Sequence, residues 1–564
     1  MTISPLLARF SQSNVSRWIE DDGIWRRLSY ALIIMVGLIM LVTFRDYGIT
    51  GDEPFHVTHG KAVIAWYASF FQDRSAADMG VFNDMVFYGR FFEVVALLAD
   101  KVLPFGFYEN LHVIACLFGL TGIAAAYKLG SHLLNPMAGF FSALFLTLTP
   151  MLYGQSFNNP KDPPLATLYV VSLYLIVVSY DQMPRLPKRL LAKIGLSIGL
   201  ALGVRPGAMI LFGCAAVCWI AWYIAQLRLK AFSTLKEARN TAAVILGSFI
   251  VVLTIGWVVM LIWLPWAQLS PLKNPFRIMA WFAGSWGGGG GFVFKGQELT
   301  VGVPWHYLLT WLSIQLPEFY LVSLIIGCPL VGGFILKHQR DGADSRKPIK
   351  LAILGLGILF PVTSAIVLHS PLYNAMRHFL FILPPLAVLV GVSFSTLLRS
   401  RIHRGVKVGI SVLIAISAGL TVIDMIQLHP YQYIYFNRLI AGGLKGADRK
   451  FETEYWGTSY KEAAQWLIDN YHPDCHEVIR VNACGAEFPS GYYFDKSIEA
   501  KDRFMLVAGE RDDDGWLVEG LEPPHVLLST TRETCYRTGQ GKVLHIVERQ
   551  GVPLRYIIEL HRPR

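Results

Sequence analysis

The chain has 564 residues, 53% of them hydrophobic, and its 50 Lys and Arg against 40 Asp and Glu give a formal charge of +10. Apolar residues in long uncharged runs exclude an ordinary soluble fold and point to a polytopic membrane protein. The positive excess lies mainly in loops flanking those runs, so it is no argument for a nucleic-acid partner.

Crossing a hydrocarbon core takes roughly 20 residues at a rise of about 1.5 Å each. Eleven apolar runs are read as spans in chain order: about 28–44, 110–129, 136–153, 163–180, 191–205, 207–226, 241–264, 317–336, 350–368, 379–397 and 408–426. Arg205 and Pro206 interrupt the fifth and sixth, marking a tight hairpin or a broken helix. The first run is too long for a signal core, and no small-residue cleavage site follows it.

Lys and Arg in short loops set the orientation. They gather at Arg185, Lys188, Arg189 and Lys193, then at Arg228, Lys230, Lys236 and Arg239. The pattern repeats at Lys337, Arg340, Arg346, Lys347 and Lys350, and at Arg399, Arg401, Arg404 and Lys407. With eleven spans all four loops share one side, the cytoplasm, together with Arg26 and Arg27. The expected layout is a cytoplasmic N-terminus 1–27 and a membrane module 28–426 with outer loops 45–109, 154–162, 265–316 and 369–378. An extracytoplasmic domain follows at 427–564.

The first outer loop opens with GDEPFHVTHG (51–60) and holds two amphipathic stretches, expected to lie in the interface plane. One presents Val57, Val63, Ile64, Tyr67 and Phe70, the other Phe92, Val95, Leu98 and Val102. The loop at 265–316 carries five glycines, Gly287–Gly291, which lack the GK[ST] ending and βαβ context of a phosphate loop and read as a mobile segment. Aromatic residues of that loop, such as Trp281, Trp286 and Trp305, read mainly as interface anchors.

The tail is polar with short apolar runs. Its 459–471 stretch predicts a helix, and EVIRV, RFMLVA, HVLLS, KVLHIVE and LRYIIEL predict strands, together a small α/β domain. Cys116, Cys214, Cys218 and Cys328 fall in spans and read as packing residues. Cys475, Cys484 and Cys535 lie outside, where one disulfide is open to them and the spacing selects no pair. No CxxC, zinc spacing, 20–50-residue repeat or inverted repeat is visible.

Ionisable groups at a membrane boundary are costly unless solvated or used. Asp52 and Glu53 read as a general-base pair, a metal site or a solvated loop start, stiffened by Pro54. The rigid loop NNPKDPP (158–164) brings Asp162 to the same face, with Lys161 able to meet a phosphate or to snorkel. YNAMRH (373–378) puts Arg377 and His378 there too. The planar fork of an arginine suits a lipid phosphate, whether a substrate's or a headgroup's, and Arg205 has the same two readings.

GDEPFHVTHG resembles the Asp-Glu motif of the GT-C membrane glycosyltransferases, closest to glycosyltransferase family 39, which holds protein O-mannosyltransferases and bacterial aminoarabinose transferases. FNNPKDPPLA resembles the second acidic loop of that superfamily, and YNAMRHFLFILPP and HPYQYIYFNRLIAGG resemble segments of bacterial members, so the likeness covers roughly 28–460. The spacing of His56 from Glu53 departs from the eukaryotic enzymes, and no MIR-like segment is recognised.

The resemblance implies an inverting transfer of a sugar from a polyprenyl phosphate to an acceptor hydroxyl on a lipid, glycan or protein, at the outer face of a bacterial inner membrane. It implies Asp52 as base, assisted by Glu53, whose repulsion would raise one of the two pKa values. Asp162 would position the acceptor or a divalent cation; Arg377, Lys161 and Arg205 would hold the donor phosphate; His56 and His378 would position substrate. The alternatives are an envelope polysaccharide polymerase or ligase, which shares this topology and donor, and a lipid or sugar transporter, which would place its acids near the midplane.

Overall fold

The computed structural model describes residues 20–284, 292–299, 302–340, 346–473, 478–483, 487–507, 526–530 and 541–560. Among them eight helices are long and apolar enough to cross a membrane, or up to ten if each of two bent pairs is one span, so the chain is an integral membrane protein. The glycine run and Cys475, Cys484 and Cys535 lie outside the described residues.

The first helix, α1 (Asp22–Thr43), is capped by the Asp21 carboxylate. A connecting segment follows with α2 (Glu53–Ala68) and α3 (Phe91–Asp100). Next come α4 (Phe107–Leu133), α5 (Pro136–Thr147), α6 (Pro150–Asn158) and α7 (Asp162–Tyr180). The bundle continues with α8 (Lys188–Leu202), α9 (Ile210–Arg228), α10 (Leu235–Ile262), α11 (Tyr307–Gln315) and α12 (Glu318–Arg340). It closes with α13 (Arg346–Val367), α14 (Leu383–Arg399) and α15 (Arg404–Gln427).

This departs from eleven uniform spans in three places. The 136–153 run is broken between α5 and α6 by a 67° bend, because Pro150 restricts the residue before it and cannot donate to a continuing helix. A 110° bend separates α11 from the start of α12 at Pro317 for the same reason. At 15 residues, α8 is too short to count as a span by length, and Arg205–Pro206 does break the helical run after it.

Ion pairs mark the two ends of the bundle. At one end Asp181, after α7, meets Lys350 at 2.5 Å and His132 at 2.9 Å, and Asp22 meets Arg399 at 3.5 Å. At the other end lie the starts of α2, α7 and the Arg377 turn. The tail packs there too: His429 meets Asp46 at 2.8 Å, the Tyr493 hydroxyl accepts from Ile49 N at 2.8 Å, and Lys496 pairs with Glu109.

The tail holds α16 (Tyr460–Asn470), α17 (Glu487–Lys496) and a five-stranded sheet. Its strands are β1 (Ile479–Ala483), β2 (Phe504–Leu506), β3 (Val526–Thr530), β4 (Gly541–Arg549) and β5 (Val552–Leu560), in the order β2-β1-β3-β5-β4. The first three are parallel neighbours, and β5 runs antiparallel to β3 and β4.

Candidate active site

The site is built at the end of the bundle where the tail docks. Asp52 stands immediately before α2, with Pro54 in the first turn, where a missing N–H costs nothing. Neighbouring helical positions point about 100° apart, so the two acids have different destinations. Glu53 is buried: Oε2 accepts from Thr50 N at 2.7 Å and Thr50 Oγ1 at 3.2 Å, and Oε1 lies 3.0 Å from His112 Nε2. Its two oxygens thereby fasten the turn to Thr50 and His112. The Asp52 carboxylate is 31% exposed.

Lys161 Nζ reaches Asp52 Oδ2 at 2.9 Å, and Arg377 Nη1 reaches the same oxygen at 3.0 Å. The Lys161 loop is held by Asn159, whose Oδ1 accepts from the backbone of Lys161 and Asp162 at 3.1 Å each. Asn159 Nδ2 donates to Asp162 Oδ2 at 2.9 Å, and Arg205 Nη2 pairs with Asp162 Oδ1 at 2.8 Å. Arg377 is itself buried between the rings of Tyr373 and Trp456, 4.8 and 5.2 Å from its Cζ. Asn374 and Ala375 adopt left-handed backbone (φ 52° and 61°) just before it, a local strain of the kind that aims functional side chains.

Burial would raise the Asp52 carboxyl, but Lys161 and Arg377, then His56, outweigh it and hold the group well below the usual carboxylate range. This reverses the expectation of repulsion between the adjacent acids, because Glu53 is turned into its own network.

Behind Lys161 lies a buried polar seam between α2 and α3. His56 Nε2 is 3.5 Å from Lys161 Nζ, while its Nδ1 is 2.6 Å from Glu93 Oε1. Arg90, fully buried, pairs with Glu93 at 3.1 Å and donates to His59 Nδ1 at 2.6 Å. Burial, then Arg90 and Lys161, push His56 down to about 4; burial and Arg90 push His59 down to about 2. Both are neutral at physiological pH. The seam also corrects the amphipathic reading. The buried face of α2 carries His56 and His59 beside Val57, Val63 and Trp66, while Phe70, Leu98 and Val102 are exposed.

A cavity of about 150 Å³ adjoins the cluster, walled by Tyr88, Tyr169, Phe282 and Phe381 with Arg205 and His378 as its polar members. The Tyr88 ring lies 5.7 Å from Lys161 Nζ and 5.9 Å from Arg205 Cζ, linking cavity and carboxylate. His378 packs edge-on against Tyr373. Among the described residues no three His, Cys, Asp or Glu groups gather around one point. Asp52 and Asp162 are each bound to cations, so this donor set fits a divalent cation poorly.

The structure thus brings together Asp52, Asp162, Lys161, Arg205 and Arg377, with His56 and His378 at the margin and Glu53 behind. Sequence reasoning missed Tyr88, Arg90, Glu93, His112, Tyr455 and Trp456. The Arg-x-x-Glu pair opening the apolar run at 90–93 was a visible signal; the others had none.

A family model described as dolichyl-phosphate-mannose-protein mannosyltransferase matches residues 107–263. No curated protein matches the chain in sequence. Among solved structures, ArnT from Cupriavidus metallidurans bound to undecaprenyl phosphate is similar at 13% identity, covering 95% of this chain and 97% of that one, with a TM-score of 0.47. The oligosaccharyltransferase of Archaeoglobus fulgidus is similar at 12% identity over 89% of this chain and 69% of that one, with a TM-score of 0.44. The family match spans α4 to α10, the stretch that holds Asp162 and Arg205, and supports a membrane glycosyltransferase.

Proposed function

We propose that this protein transfers a sugar from a polyprenyl phosphate to an acceptor hydroxyl on the outer face of a bacterial inner membrane, by a single inverting displacement with Asp52 as general base. The observation that carries this reading is the sharing of Asp52 Oδ2 by two buried or nearly buried cations, Lys161 and Arg377. With Arg205, three cations face two carboxylates, Asp52 and Asp162. The excess positive charge in a partly desolvated site favours an anion, and a phosphate suits the arginine fork.

Donor phosphate and Asp52 then compete for the same cations. Phosphate binding draws Lys161 and Arg377 away from Asp52, which raises the basicity of a carboxylate otherwise held too low to accept a proton. Asp52 takes the acceptor's hydroxyl proton as the oxygen attacks the anomeric carbon, and the cations neutralise the charge left on the departing phosphate. Asp162 keeps Arg205 in place beside the cavity, and His378 lines the wall where the sugar would lie. Neutral His56 offers a lone pair to Lys161.

In this reading the chain crosses the membrane eleven times. Although short, α8 starts just after the Asp181 end of α7 and returns to Arg205 beside Asp162, so it retraces the depth of α7. The site and the tail then lie outside, and the basic loops inside.

Mass spectrometry of envelope lipids and glycans tests the proposal, comparing cells with the wild type, without the protein, and with Asp52→Asn alone. A sugar lost from one envelope component in both deficient strains is expected. Unchanged envelopes in all three overturn it.

A further inference from the structure

We infer that residues 454–459 form a strap through which the C-terminal sheet fixes the catalytic end of the bundle, with Trp456 as the positioning residue for Arg377. The consequence for phosphate binding rests on the donor reading above; the mechanical link does not.

The strap meets the site beside Asp52, at Arg377 and behind Asp162. Gly51 N donates to Trp456 O at 2.9 Å, immediately before Asp52. Gly48 lies so close that a Cβ there would sit 2.1 Å from Thr458 O, so only glycine allows the two backbones to meet. The Trp456 ring closes one side of the Arg377 guanidinium, where a desolvated cation–π contact restricts its orientation. The Tyr455 hydroxyl accepts from Gln155 Nε2 at 3.3 Å, and Gln155 accepts from Asn159, which bonds Asp162.

The strap is held from the tail side by Arg555 of β5, which is fully buried. Its Nε donates to Ser459 Oγ at 2.8 Å, its Nη2 donates to Glu454 Oε2 at 3.1 Å, and its Cζ stacks 3.3 Å over the Tyr460 ring. Glu454 Oε1 also accepts from the Tyr433 hydroxyl at 2.8 Å and Thr458 Oγ1 at 3.2 Å. Both ends of a six-residue segment are thereby tied to one arginine of the sheet. Losing one partner of a buried charged pair is costly, so the tail has a strong hold on the strap.

Two measurements on the full-length protein in detergent test this. In the first, hydrogen exchange is followed in the 45–56 peptide. Arg555→Met should speed exchange there by about ten-fold or more through loss of local protection, while peptides from α7 stay as in the wild type. Unchanged exchange at 45–56 overturns the strap. Should Arg555→Met not be recovered folded, Gly48→Ala separates the same backbones and must give the same local rise.

The second measures undecaprenyl phosphate affinity. Trp456→Ala should weaken binding by about ten-fold, and Trp456→Phe should stay within about three-fold of the wild type, because a ring face is what Arg377 needs. Wild-type affinity in Trp456→Ala overturns the positioning role. A wild type that does not bind undecaprenyl phosphate counts against the donor reading, and the exchange result then decides on the strap alone.

Discussion

Arg377 Nη1 and Asp52 Oδ2 stand 3.0 Å apart, joining a buried arginine at the mouth of α14 to the partly exposed turn before α2. The pair has the geometry of a charge-assisted hydrogen bond, and Lys161 on the same oxygen makes it a three-member cluster. The strongest base candidate is therefore restrained by the groups that would bind the donor.

Exchange of carboxylate for phosphate has a testable sign. Asp52→Asn removes the competitor for Lys161 and Arg377. Undecaprenyl phosphate should bind the purified variant as tightly as the wild type or several-fold more tightly. Weaker binding, measured by titration in detergent, would falsify the competition.

Arg377→Lys keeps the charge and loses the planar fork and ring sandwich. Turnover and donor affinity should each fall about ten-fold or more, each factor of ten corresponding to roughly 1.4 kcal/mol. Donor affinity unchanged in Arg377→Ala would remove Arg377 from the phosphate site.

Glu53→Gln should act on stability more than on chemistry, because both Glu53 oxygens hold Thr50 and His112. A loss of about 1–3 kcal/mol is expected for weakening a buried hydrogen-bonded charge. The observable is a lower melting temperature with transfer reduced less than in Asp52→Asn. The opposite ranking would put Glu53, not Asp52, at the reacting atoms.

Acid should destabilise the α2–α3 segment. His56 is lowered from 6.5 to about 4 by burial and its cationic neighbours, and His59 to about 2. As pH falls through 6.5 the unfolded chain takes up protons that the folded chain does not, so stability is complete above that value and declines towards pH 4. Asp52 and Glu93, held low, extend the loss to more acidic pH. Melting temperatures at pH 7.5 and 5 check this, and His56→Gln should flatten the profile. A melting temperature that rises towards pH 5 would contradict it.

The parts of the site legible in the sequence were those carried by local chemistry. Asp52, Lys161, Asp162 and Arg377 each stand as a charge in a proline- or turn-rich loop at the end of an apolar run, and such loops can gather only at a membrane face. The tail's helix α16 and its five strands were legible from periodicity, and the observed elements fall on those stretches, whereas α17 was not foreseen. Partners were not legible. Glu53 looks equivalent to Asp52 in a dipeptide, and the bonds to Thr50 and to the His112 ring, 59 positions away, show which acid is sequestered. Trp456 sits in a polar stretch that meets Arg377 and, three residues on at Ser459, is bonded by Arg555, about a hundred residues further along the chain. Pro150 and Pro317 announced the broken helices, but uniform runs of apolar residues outweighed them in the count of spans.

The central claim is that Asp52 removes the acceptor proton when a polyprenyl-phosphate sugar is bound. It is tested most directly by the release of polyprenyl phosphate from a labelled donor in membrane vesicles of the host, with wild-type or Asp52→Asn protein at equal amounts. General-base removal predicts release at least about 100-fold slower in the variant, with donor binding retained. Release at the wild-type rate would contradict the account and make Asp162 the leading base.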